Sequence, residues 1–426
     1  MKTKIIPFLL FLFIISSCED TTYRVYQGNA PVYMSFEELR NAIAEEPERE
    51  LENPGKIYFK DNYIFIIEEL KGIHIFDNTN PALPEKQSFI KVPGIVDMAV
   101  SGNVLYADSF VDLVVLDLRD IENIQEIGRV KDILPYTLPP TGNELPVGNI
   151  EKEKGMVVDW EVTTIKERVY DQPGIYPYLK VQMDGVFFSE LSSRSIGASG
   201  VSSNGVGIGG SMARFGIKDN TLYLLDNNTL RLLDITIKSS PVKLFDINPG
   251  WGIETMFLTE NNMFMGTTTG MLIYDITDPR SPVRKSSYNH VRSCDPVVVD
   301  DTLAYVTLRS GTNCGGSVNS LDVVNIKNTS APAFVASYPM SNPHGLGKDG
   351  SLLFICDGAA GLKIYDASNP KVISANLKYT YPNIRAYDVI PLGDILVMIG
   401  DEGLYQYDYS NIQNVTLLSI IPVESD

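Results

Sequence analysis

The sequence predicts an all-β protein: a seven-bladed β-propeller of four-stranded blades, with a short N-terminal helix and a long inter-blade insert. Three observations carry this prediction. One phrase, Gly-Leu-x-Ile-x-Asp, recurs seven times, and four of the six intervals between copies are 40–42 residues. Each unit holds four short runs rich in β-branched and aromatic residues, bounded by Gly, Asn, Asp and Pro. Such a unit cannot bury both faces alone, so units stack around an axis and cover one another.

The chain has 426 residues, with 35 basic and 53 acidic side chains and a formal net charge of −18. Apolar residues make up 44 % and charged residues 21 %, a globular composition. The acidic balance argues against a nucleic-acid partner, which requires a concentrated basic face.

In chain order, the first element is a leader over residues 1–17. Lys2 and Lys4 form a basic start, and Ile5 to Ile15 is an apolar run of eleven residues. A membrane-spanning helix takes roughly 20 residues, so the run has the length of a signal-peptide core instead. It ends in Ile15-Ser16-Ser17-Cys18, which resembles the lipobox of bacterial lipoproteins. The resemblance implies cleavage before Cys18 and lipidation of Cys18. An ordinary signal peptide with a chance cysteine is the alternative. Glu19 and Asp20 follow at once and resemble the surface-export signal of Bacteroidota lipoproteins. The location implied is the outer membrane or cell surface, with membrane contact through the N-terminal lipid.

Residues 18–51 are expected to supply a tether and one helix. Ser35-Phe-Glu-Glu38 has the capping-box form, and Phe36, Leu39 and Ile43 follow at helical spacing. The helix is expected to cover an edge or face of the propeller, which occupies residues 52–426.

The seven copies end at Asp77, Asp117, Asp234, Asp275, Asn325, Asp366 and Asp408. Each ends a third strand and opens a turn that usually contains Pro. An Asp there hydrogen-bonds turn amides, and Asn325 can do the same, whereas an acid–base role would not tolerate Asn. The phrase, in forms such as Leu113-Val-Val-Leu-Asp117, is similar to the repeat of LVIVD-repeat proteins, bacterial and archaeal surface β-propellers. The resemblance covers roughly residues 52–424 apart from the insert, and it implies fold and location but no particular activity. Asn325 departs from the pattern, and units two and seven lack the following proline.

With strands A to D in each blade, B–C loops and blade-to-blade D–A loops share one face of a propeller. The extra sequence falls there. An insert of about 135–211 joins blades two and three, and the B–C loop from Arg309 to Asn319 stretches blade five. That face is the expected working surface. Six residues before each A–B turn stand Lys56, Asp97, Arg214, Glu254, Asp295, His344 and Asp388, all ionisable. They start the innermost strands, at the mouth of the axial channel. Two readings stand side by side: a polar or divalent-cation site on the axis, and a hydrated funnel of mutually paired charges.

Cys294 and Cys314 lie in adjacent loops of blade five, and an exported protein permits a disulfide between them. Cys356 reads as a buried thiol and His74 as structural. His290, Arg292 and Arg309 are candidate contacts for an anionic ligand, or solvated loop residues. Trp251 is a candidate sugar-stacking residue, or an inter-blade core residue. There is no His-Glu-x-x-His, Walker loop or Gly-x-Ser-x-Gly, and Gly205 to Gly210 lacks the flanking strand and helix of a dinucleotide site. No cofactor is expected. The reading is a binding or scaffold module for an envelope protein or glycan. Two rivals are a carbohydrate-active enzyme using axial carboxylates and a structural envelope protein whose insert packs on a partner.

Overall fold

The computed structural model describes residues 22–169, 208–209, 213–226, 228–289, 296–300, 302–310 and 318–424. Seven four-stranded antiparallel blades occupy 54–91, 98–130, 215–247, 253–289, 297–339, 346–381 and 386–422. The A strands contact one another from blade to blade and so line the axis. B and C strands are covered on both faces by adjacent blades. Leu303–Leu308 and Ser320–Asn325 are accordingly buried almost throughout. D strands form the rim and are half-exposed, as in Val242–Ile247 and Val283–Asn289, except in blade one, where Ala44–Glu46 pairs outside Glu85–Lys91. Lysines there (Lys243, Lys285) blunt the open edge.

The residue ending each C strand makes the same bond in all seven blades. Its side-chain oxygen accepts the amide two residues on: Thr79, Arg119, Thr236, Thr277, Lys327, Ser368 and Ser410, at 2.8–3.0 Å. Asn325 serves as well as the aspartates, so the role is to close a turn. The phrase's glycine also has a steric cause. At Gly361, with φ +83°, a Cβ would collide with the Tyr381 carbonyl on the neighbouring D strand.

Buried apolar clusters run from blade to blade, and one joins blade seven to blade one through Ile57, Ile66, Phe76, Ile399 and Leu404. Every blade is built from one continuous stretch, so the ring closes by contacts between blades and not by an exchanged strand. Leu51 pairs in parallel with Val423, and the Glu424 amide donates to the Leu51 carbonyl at 2.8 Å.

The helix is shorter than its spacing predicts, Phe36–Arg40, with Asn41 ending it and Ile43 beyond it. Its capping box forms: Glu38 N donates to Ser35 Oγ at 3.2 Å, and Ser35 N to Glu38 Oε2 at 2.8 Å. Leu39 is fully buried with Phe110, Val111 and Met156. Asp112, also fully buried, accepts from Arg40 Nε at 2.9 Å, Arg129 Nη1 at 3.2 Å and the Asp132 amide at 2.9 Å. That network binds the helix to blade two.

Residues 22–34, expected as tether, form a strand instead. Thr22–Met34 pairs antiparallel with Met156–Val169 of the insert in a separate two-stranded ribbon. Met34 and Met156 are opposite each other at its fixed end. Asn29 is buried and exchanges side-chain amide bonds with Asn143. The insert touches the ring again at Ile208–Gly209, which pairs with Phe59 and Tyr58 on the axial side of the blade-one A strand.

Candidate functional site

The six described residues of the charged ring all stand within two positions of the first residue of an innermost strand. Asp295 lies outside the described residues. So do His290, Arg292, Cys294 and Cys314, and Cys18 with the whole leader.

Two clusters tie the ring together. In the first, Lys56 Nζ lies 2.5 Å from Asp97 Oδ2. The same oxygen accepts the amides of Arg214 at 2.6 Å and Phe215 at 3.2 Å, and Asp97 Oδ1 accepts Met98 N at 2.8 Å. Asp97 is 3 % exposed. One carboxylate thereby fastens blades one, two and three. Arg214 continues the chain, its Nε donating to the Glu254 carbonyl at 3.3 Å. Burial lowers the Lys56 pKa, and the Asp97 charge opposes that shift. Behind them Asp108 Oδ1 accepts the amides of Val96 at 2.8 Å and Asp97 at 2.9 Å. Burial pushes the Asp108 carboxyl up to about 7, against those two amide bonds.

The second cluster joins blades four to seven. Arg309 follows the B strand of blade five and is 8 % exposed. It is a buried group at the axial mouth, not a solvated loop residue. Its Nη1 meets His344 Nδ1 at 2.7 Å, and Asn342 Nδ2 approaches His344 Nε2 at 3.2 Å. The imidazole packs edge-on against Tyr387, with centroids 5.2 Å apart. Burial, then Arg309 and Arg385, push His344 down to about 3, so it is neutral at physiological pH. Burial lowers the Arg309 pKa, while the Glu254 charge favours its cation. Asp388 is fully buried beside the Cys356 thiol, which burial, Asp388 and Asp357 push well up.

The remaining residues separate cleanly. His74 is buried, its Nε2 3.0 Å from Glu68 Oε2, which also accepts the Glu52 amide, while Glu68 Oε1 accepts the Asn53 amide. Cys356 is a buried free thiol. Trp251 is 77 % exposed and takes no part in the inter-blade core. Gly250 and Gly252 flank it with φ +131° and +70°, so the backbone there turns in a way other residues resist. Among the described residues, no three His, Cys, Asp or Glu side chains are grouped to hold a metal ion. The sequence pattern missed Arg309 and Asp108 as axial groups. Both sit at the end of a B strand, where the hairpin returns to the axis, and that position was the available signal.

The fold and this charged mouth define a propeller with an internally paired axis. The LVIVD repeat profile matches residues 315–339, over the C and D strands of blade five. Among solved structures, the chain is similar to a protein from Lactobacillus plantarum, at 10 % identity and a TM-score of 0.52. The match covers 87 % of this chain and 97 % of that one. It is also similar to a functionally unknown protein from Desulfotomaculum acetoxidans DSM 771, at 10 % identity and a TM-score of 0.50, over 86 % and 98 % of the two chains. At that identity the likeness is one of fold. No curated protein matches the chain.

Proposed function

We propose that this chain is a lipid-anchored protein of the bacterial cell envelope, of the Bacteroidota type, that binds an envelope protein or glycan through its loop-rich face. The observation that carries the binding role is the contrast on that face. An exposed aromatic, Trp251, lies in the loop that leads into the blade-four A strand, while the axial groups Asp97 and His344 are already engaged. Asp97 is held by Lys56 and three backbone amides, and His344 is buried and neutral against Arg309. General acid–base catalysis needs groups poised to exchange protons near the working pH. His344, neutral down to about pH 3, is not such a group, and Asp97 is taken up by Lys56 and three backbone amides; both support recognition over the carbohydrate-active alternative.

Anchoring is supported by Lys2, Lys4, the Ile5 to Ile15 run and Cys18. Labelled palmitate is expected in the full chain and not in Cys18→Ala. The binding role is tested by a pull-down from envelope extract with residues 19–426, wild type beside Trp251→Ala. A protein or polysaccharide retained by wild type and lost from the variant, at unchanged melting temperature, supports it. Release of reducing sugar from retained polysaccharide would replace it with the enzymatic reading.

A further inference from the structure

We propose that the exposed face at the free end of the N-terminal ribbon seats in the anionic headgroup layer of the membrane. The fixed end, at Met34 and Met156, packs with Leu39, Phe110 and Val111. The free end is at Thr22 and Val169. Strand alternation puts Tyr23, Val25 and Gln27 on one face, opposite Arg168, Lys166 and Thr164. Tyr23 is 51 % exposed and Val25 61 %. The Lys166 ammonium lies 4.4 Å from the Tyr23 ring centroid. From Tyr23 to Gln27, and opposite from Thr164 to Arg168, this face carries no carboxylate, in a chain of net charge −18. The other face carries Glu167, and at Gly28 and Ile165 it packs against Pro146 and Gly148.

Aromatic and apolar side chains interleaved with cations are the composition of a membrane interface. Position agrees with composition. Three residues separate Cys18 from Thr22, so the chain spans at most about 14 Å between them. A lipid on Cys18 therefore brings this end of the ribbon to the headgroups. The location rests on the lipidation proposed above; the chemistry of the face does not.

Residues 19–426 contain every described element and no lipid site. Co-sedimentation with phosphatidylcholine vesicles, with and without phosphatidylglycerol, tests the inference. Wild type is expected to bind the anionic vesicles and to be released by salt. Each cation near an anionic surface strengthens partition about fivefold. Lys166→Glu with Val25→Ser is expected to lose at least about tenfold, and Thr163→Glu on the opposite face to lose far less. Should the double variant not fold, Lys166→Gln is expected to lose about fivefold. Wild type that ignores anionic vesicles, or equal losses in the two faces' variants, overturns the inference. Failure here leaves palmitate labelling of Cys18 untouched, and absence of labelling leaves the vesicle result standing.

Discussion

Asn78 and Gln406, 328 positions apart, hold each other by paired side-chain amides: Asn78 Nδ2 donates to Gln406 Oε1 at 2.9 Å, and Gln406 Nε2 donates to Asn78 Oδ1 at 2.7 Å. Both are buried at the joint between blades seven and one. Every other joint has apolar residues at these two positions, as with Ile75 and Leu118 or Leu232 and Ile276. This pair selects the closing partner, because any other pairing of these blades leaves the Asn78 amide unmet and the Gln406 amide with Ser419 as its one partner.

Asn78→Leu is therefore expected to destabilise the ring by about 2–3 kcal/mol, since the Gln406 amide loses a buried partner. Asn78→Leu with Gln406→Leu is expected to recover most of that loss. Urea denaturation of the four species of the cycle measures the coupling. Additive losses would show that the pair contributes no specific closure.

How much of this was legible in the sequence follows from what each feature depends on. The blades depend on a local pattern repeated seven times, and the turn role of Asp275 is confirmed by its substitute Asn325. The capping box of Ser35 and Glu38 is four residues long. The strand run Lys154 to Tyr170 was legible in the insert, but its partner was not, because Thr22–Met34 contains Gly28 and Pro31, which weaken a strand signal. The axial ring was visible as positions but not as pairings. Arg309 meets His344 only because two blades converge, and no spacing along the chain encodes that convergence.

The turn bond gives a second expectation. Asp275→Ala removes the acceptor for the Thr277 amide and should cost about 1 kcal/mol, while Asp275→Asn, which keeps that acceptor but not the charge facing Lys285, should cost less. The turn amide and hydroxyl of Thr277, with Lys285, hold this carboxyl down to about 2. A depressed acid stabilises the fold above its unfolded value, near 4, and that contribution disappears as pH falls through about 2. The alanine variant should thus show a shallower acid limb in a pH series of melting temperatures.

Asp108 has the opposite sign. Its folded value is about 7 and its ordinary value 3.8, so the folded state holds a proton that the unfolded state releases. The contribution is complete below about pH 4 and is lost as pH rises through about 7. Asp108→Asn keeps an acceptor for the Val96 and Asp97 amides and removes the titration. It is expected to flatten the melting profile between pH 5 and 8 and to be about 1–3 kcal/mol more stable than wild type at pH 8. An unchanged slope would place the titration elsewhere.

Arg309 and His344 give a prediction specific to the axial mouth. With Arg309→Met, a cation that suppresses imidazole protonation is gone, so the His344 pKa should rise from about 3. Burial, its first cause, remains, so the rise should be partial. The chain has three histidines, and imidazole NMR titration of the variant resolves His344 directly. A value that does not move would mean that burial alone sets it.

The Arg40–Asp112 contact predicts local and not global loosening. Burial raises the Asp112 carboxyl, but Arg40, the Asp132 amide and Arg129 outweigh it and hold it below its usual range. In Arg40→Ala, Asp112 keeps Arg129 and the Asp132 amide, so blade two retains its own contacts. The helix Phe36–Arg40, with only five residues, has no stability apart from what it packs on. Limited proteolysis of the variant is therefore expected to cut between the ribbon and blade one, within residues 35–50. The thermal transition of the ring should stay close to that of the parent. A joint drop in melting temperature, with no new cleavage, would mean that the helix is part of the ring's cooperative unit and not a clasp laid on it.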